Sequence, residues 1–162
     1  MLSFDSNSAR LNVRSVAVIV HDGNVLLHRA VGDDFWTLPG GRVEFFENSD
    51  ATLHRELLEE LGAGAVVKRH LWYVENFFEC SGKQCHEIGN YFLVQLLEPD
   101  QFPKHEVFHG VEADVNLEFK WFALSELSGL ALKPEFLRSG LLELPAATKY
   151  IKVNEIAEFR GR

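Results

Sequence analysis

Two cysteines, Cys80 and Cys85, are too few to staple a fold, so this chain of 162 residues must be held by burial of apolar surface rather than by a disulfide framework. With His86 beside them they would make three adjacent zinc ligands lacking a fourth partner, and two free thiols in a loop is the reading the spacing favours. Basic residues are also in short supply. Sixteen Lys and Arg against 24 Asp and Glu leave a formal charge of -8, which excludes an unaided binder of nucleic-acid polymers or anionic membranes, because both need cations in excess. An anionic substrate would have to be brought in by metal. No stretch approaches about 18 consecutive apolar residues, and MLSFDSNSAR lacks the basic and apolar regions of a signal peptide. A soluble, cytoplasmic protein with no membrane partner is expected.

What is present suffices for one domain: 46% of the residues are hydrophobic, enough for a core at this length. The expected division is a flexible, polar N-terminus over 1–10, one domain over 11–145, and an extension over 146–162 that packs on or near it as an edge strand or docking segment. Val13 to Val20 reads as a central strand buried on both faces, and His21-Asp22-Gly23-Asn24 as a hairpin turn into a strand from Val25 to Arg29. His28 and Arg29 face either the site or solvent, with solvent the favoured reading. Ala65 to Phe78 and His86 to Leu97 should pair as long antiparallel strands across a polar loop at 79–84; Trp72, Phe77 and Phe78 have a core reading and a base-stacking reading, and the core is expected for most of them. Residues 98–116 lack a period and read as a long loop carrying His105, Glu106, His109, Glu112 and Asp114. A strand over Leu117–Ala123, a short helix from Ser125 and a helix from Pro134 to about Leu142, with Phe136, Leu137 and Leu141 inward, complete the chain.

The densest stretch runs from Trp36 to Gly62, WTLPGGRVEFFENSDATLHRELLEELG. Pro39, Gly40 and Gly41 turn the backbone, Asn48 or Ser49 can cap a helix, and Gly62 stops it, which predicts a helix over 49–61. Ala51, Leu53, Leu57, Leu58 and Leu61 are read as its packing face, and Glu56, Glu59 and Glu60 as the opposite one. Carboxylates near a helix C-terminus oppose the macrodipole, and two of them 5–6 Å apart repel by about 3 kcal/mol at an effective dielectric near 20. A divalent cation would convert that repulsion into attraction. A plain solvated acidic surface is the competing account, and the surrounding pattern argues against it.

Gly41, Glu47 and Arg55-Glu56-Leu57-Leu58-Glu59-Glu60-Leu61-Gly62, at this spacing, resemble the Nudix box of the MutT-like Nudix hydrolases. Ala63 stands where the family usually has a larger aliphatic residue, and Phe45-Phe46 where a small pair is common. The resemblance implies an α/β fold, a Nudix α/β/α sandwich around a central mixed β-sheet, and hydrolysis of a nucleoside diphosphate linked to a group X, giving a nucleotide and phosphorylated X. It implies Mg²⁺ or Mn²⁺ held by Glu56, Glu59, Glu60 and the Gly40 carbonyl, with Arg55, Glu56, Glu59 and Glu60 catalytic. Gly41, Glu47 and Gly62 are implied to be structural, Glu47 through an ion pair with Arg55. Glu112, Asp114 and Glu118 are candidates for an extra ligand or base. Trp36 and Arg42 are the candidate substrate contacts, a core plug being the alternative for Trp36. The partner expected is a small nucleoside diphosphate derivative rather than a nucleic-acid polymer. A non-catalytic nucleotide-sensing module remains the second reading, and homodimerisation through Phe45-Phe46 or the tail stays open.

Overall fold

The computed structural model describes residues 1–157. Its scaffold is one mixed sheet running β7-β8-β3-β2-β6-β5-β9, with β1 and β4 also paired to β2. The strands are β1 (Ser3–Ser6), β2 (Ala9–His21), β3 (Asn24–Ala30), β4 (Gly40–Arg42), β5 (Ala65–Cys80), β6 (Lys83–Leu96), β7 (Phe108–His109), β8 (Leu117–Ala123) and β9 (Lys149–Asn154). Two helices, α1 (Ser49–Leu61) and the short α2 (Leu137–Gly140), complete an α/β/α sandwich.

β2 is the central strand. Its alternating side chains feed two separate cores: Val16 and Val18 join Leu71, Trp72, Leu132 and Leu137 on the α2 side, while Ala17 and Ile19 join Leu53, Leu57, Leu61 and Phe119 on the α1 side. The period of 2 along a strand buried on both faces produces this division.

β2 also has a divided edge, which builds the site. Asp22 and Gly23, both at positive φ, make the tight turn to β3, but the two strands pair only at Val20↔Val25 and His21↔Asn24. They then separate. β3 continues with β8, and the gap on β2 is filled by β4, with Val16↔Gly40 and Arg14↔Arg42 in register. The glycine corner is thereby wedged into the middle of the sheet.

Several expectations change. Residues 1–10, expected flexible, include β1, which pairs with the start of β2 from Ser3↔Asn12 to Ser6↔Ala9. The polar stretch 79–84 is not a loop: Ser81 and Gly82, at positive φ, form a two-residue turn between β5 and β6, so both cysteines lie in strands and Cys85 is buried. The 98–116 segment carries a 3-10 turn at Pro99–Gln101 and β7, which pairs with β8. The helix expected over 134–142 is a single turn, with Leu137 and Leu141 buried and Phe136 half-buried. β9 runs parallel to β5, from Trp72↔Lys149 to Phe77↔Asn154. The last five residues of the expected 146–162 extension lie outside the described residues.

Candidate active site

α1 spans Ser49–Leu61, the expected bounds, with Asn48 at the N-cap position but making no side-chain cap hydrogen bond; Gly62 closes the helix at φ 64°, its N–H donating to the Leu58 carbonyl and the Ala63 N–H to that of Leu57. Its orientation differs from the expected wheel. Leu58 is 62% exposed and Ala51 faces water, whereas Thr52, Leu53, Leu57, Leu61 and Glu60 are buried. Glu60 follows Leu53 by seven residues, two turns, so it returns to within roughly 20° of it. It belongs to the buried stripe and not to the opposite face.

Arg55 organises the carboxylates. Its Nε donates to Glu47 Oε1 (2.8 Å) and Nη2 to Glu47 Oε2 (3.0 Å), a two-pronged pair, while Nη1 donates to Glu56 (2.6 Å) and Glu59 (3.1 Å) and Nη2 to the Arg42 carbonyl (3.1 Å). Glu47 also accepts from the Glu44 N–H and the Thr52 hydroxyl. These donors, Arg55 first, hold its pKa down at about 2. The box loop is thus tied to the helix by charge-assisted hydrogen bonds.

The glycines are required by contact. A Cβ on Gly40, at φ 144°, would lie 2.2 Å from the Ser15 carbonyl oxygen, and one on Gly41 would lie 2.0 Å from the Glu56 carboxyl carbon. The Gly40 carbonyl accepts from Arg14 (3.2 Å), leaving a second lone pair on that oxygen.

Glu60 is a strongly perturbed carboxylate of the cluster. Only 7% exposed, it is pushed up to about 8, first by burial and then by the neighbouring charges of Glu56, Glu112 and Glu59, with Arg14 opposing. Its Oε2 has no hydrogen-bond partner among the described residues. Burial likewise raises Glu56. These carboxylates, His28, Arg42, Arg55, Gly40, Gly41 and Glu112 line a cavity of about 680 Å³.

The remaining candidates separate. Glu112 reaches this cavity because the Val111 N–H donates to the Glu60 carbonyl (2.7 Å), docking the loop on the end of α1. Asp114, His105, Glu106 and His109 point to solvent and line neither cavity found near the sheet. Glu118 is turned away and paired with Arg29 (2.8 Å). Trp36 is a core residue, 6% exposed and edge-on to Phe122; it lines neither cavity. His28, expected in solvent, is 5% exposed at the cavity wall, where burial lowers its pKa to about 3. Arg14 and Glu87 also line the cavity. Sequence reading missed both; the only signal was charge inside otherwise apolar strands. Phe78 lines a second cavity rather than filling the core. Among the described residues, the ligand-sized grouping of His, Cys and acidic side chains is His21, Asp22 and Asp100. It is already balanced by Lys104, 3.0 Å from Asp100.

The family model described as the NUDIX domain matches residues 11–143. The chain belongs to the Nudix family. An RNA pyrophosphohydrolase of Halorhodospira halophila (strain DSM 244 / SL1) is 36% identical over 109 residues, which is 60% of this chain and 59% of that protein. The match therefore spans less than two thirds of the curated relative. Among solved structures, a UDP-X diphosphatase superposes with a TM-score of 0.60 at 24% identity, covering 90% of this chain and 69% of the other. A mutator MutT protein of Bacillus halodurans gives a TM-score of 0.60 at 20% identity, covering 92% and 93%. At these identities the superpositions establish the Nudix sandwich and nothing finer. Within that fold, Phe46 stands out: it is fully exposed at φ 63° in the box loop, a backbone conformation that glycine adopts without cost.

Proposed function

We propose that the protein is a divalent-cation-dependent pyrophosphohydrolase that cleaves the diphosphate linkage of a nucleoside diphosphate derivative to a nucleotide and a phosphorylated X. The observation that carries this is Glu60: a carboxylate buried beside Glu56 and Glu112, with an unpartnered oxygen, on a helix pinned to a glycine corner. Such a group is costly unless a cation or proton compensates it.

The residues fit the metal. Glu56 and Glu60 would hold Mg²⁺ or Mn²⁺, with Glu59 and the Gly40 carbonyl as further oxygens, since an all-oxygen donor set selects hard cations over zinc. Once bound, the cation supplies positive charge against the diphosphate oxygens and acidifies water. The chain contributes the rest. Arg55 fixes Glu56 and Glu59 from one side, leaving them pre-oriented, and the buried side chains of His28 and Leu117 at the cavity wall limit water around Glu60. Glu59, 48% exposed, would orient and deprotonate an attacking water.

A nucleotide-sensing module is the second reading, and the retained set of Glu47, Arg55, Glu56, Glu59 and Glu60 favours turnover over it. The substrate class supported is small, in keeping with the charge of -8; the relative named for RNA makes a 5′-triphosphorylated oligonucleotide a necessary comparison. The test is a mass-spectrometric product screen with Mg²⁺ over nucleoside triphosphates, ADP-ribose, nucleotide sugars, dinucleoside polyphosphates and that oligonucleotide. Cleavage at a diphosphate bond that Glu60→Gln lacks supports the hydrolase. Tight binding of one compound with no cleavage of any supports the sensor.

A further inference from the structure

At the cavity of the carboxylates, two buried side-chain atoms have no hydrogen-bond partner among the described residues, Glu60 Oε2 and His28 Nδ1. Both side chains are more than nine-tenths buried. The strand makes them meet. Leu26 and His28 are two residues apart on β3 and share a face, and Leu26 belongs to the same core as Leu53, Leu57 and Leu61, so His28 is turned towards α1. Its main chain is held from both sides: it is in register with Phe119 of β8, and it exchanges two hydrogen bonds of 2.9 Å with Thr37. The imidazole packs against Phe119, with centroids 5.4 Å apart. A ring so clamped has little freedom to turn.

The Leu38 carbonyl accepts a hydrogen bond from the ring. With Nδ1 unpartnered, the donor is Nε2–H, so the neutral ring keeps its lone pair on Nδ1, the atom near Glu60. A histidine anchored through one nitrogen to a backbone carbonyl, with the other nitrogen bare beside a carboxylate, has the arrangement of a metal ligand. The separation of 3.7 Å is too long for a hydrogen bond between the two groups. It suits a shared ion. Two donor atoms bonded to one cation at about 2.1 Å each can stand at most about 4.2 Å apart.

We infer that His28 Nδ1 is a nitrogen ligand to the cation held by Glu60, and that this donor makes the site favour Mn²⁺ over Mg²⁺. The inference rests on the cation-dependent reading of the site. It adds to the oxygen donors an imidazole, which Mg²⁺ takes poorly and first-row transition cations accept. Pulsed electron paramagnetic resonance of the full chain with one equivalent of Mn²⁺ reads a bonded nitrogen directly, without substrate or turnover. A nitrogen coupling is expected that changes on nitrogen-15 labelling of histidine and disappears in His28→Gln. It should persist in His21→Gln, which takes the imidazole from the exposed grouping of His21, Asp22 and Asp100. By calorimetry, His28→Gln should weaken Mn²⁺ binding about tenfold or more, and Mg²⁺ binding by less than about threefold. Bound Mn²⁺ without a histidine nitrogen, a coupling that survives His28→Gln or is lost with His21→Gln, equal losses of Mn²⁺ and Mg²⁺ affinity, or no Mn²⁺ binding would overturn the inference. Where His28→Gln fails to fold, the labelled unmodified chain and His21→Gln still decide. Mn²⁺ held by oxygen alone in a protein that turns over substrate sinks the nitrogen ligand and leaves the hydrolase. A histidine nitrogen on the ion in a protein that cleaves nothing sinks the hydrolase and leaves the ligand.

Discussion

Glu60 Oε2 lies 3.7 Å from Nδ1 of His28, and neither atom has a hydrogen-bond partner among the described residues. The separation is too long for a hydrogen bond, so the two groups share a buried wall without compensating each other. In the metal-free protein both are held neutral, Glu60 pushed up to about 8 and His28 down to about 3.

That pairing makes stability depend on pH in a defined direction. The pKa of Glu60 is raised from 4.5, so its contribution is complete below 4.5 and is lost as pH rises through about 8. His28 is neutral in both folded and unfolded chains above its ordinary value of 6.5, which isolates Glu60 between pH 6.5 and 8.5. Thermal melts in a chelator should fall over that window for the unmodified protein and not for Glu60→Gln. Saturating Mg²⁺ should flatten the slope. Parallel curves for the two proteins would refute the assignment.

Arg55 and Glu47 should fail together. Glu47→Gln leaves Arg55 without its two-pronged partner and should cost about 2 kcal/mol in denaturant unfolding, with reduced turnover as the loop loosens. Arg55→Lys should not rescue, because a lysine ammonium cannot reproduce the fork. A lysine variant with normal stability and turnover would contradict the role.

The two glycines of the corner are expected to separate stability from activity. Gly40→Ala drives a Cβ into the Ser15 backbone and should cost about 2–3 kcal/mol, since the backbone of a central strand cannot yield and the φ is unfavourable for a side chain. For Gly41→Ala the nearest atoms are those of the Glu56 carboxylate, the end of a flexible side chain. That variant should melt close to the unmodified protein while losing cation affinity, measured by Mn²⁺ titration.

Glu112 and Glu118, both sequence candidates, should behave differently. Glu112→Gln removes a charge acting on Glu60 and should weaken cation binding. Glu118→Gln breaks only a partly exposed pair with Arg29 and should cost roughly 0.5–1 kcal/mol of stability, with turnover within about twofold.

The local features of the box were legible because each follows from neighbours along the chain: Gly62 ending the helix in the left-handed region and α1 over 49–61. So was the burial of β2 on both faces, which its apolar run encodes. What failed depends on orientation. A helical wheel read too coarsely put Glu60 on the face opposite the packing one and Leu58 in the core. His28 and Arg29 are neighbours on a strand and so must face opposite sides, yet choosing the side requires knowing that β3 leaves β2 and joins β8. The β5–β6 register is fixed by a two-residue turn that the polar stretch 79–84 disguised as a loop.

The most direct test of the central claim is turnover of the substrate identified in the product screen, at saturating Mg²⁺, by the unmodified protein and Glu60→Gln with melting followed in parallel. If Glu60 helps hold the cation that drives hydrolysis, the variant should stay folded and lose about a thousandfold or more in kcat, on the scale of removing a principal source of charge stabilisation. A folded Glu60→Gln protein that turns over at the unmodified rate would contradict the account.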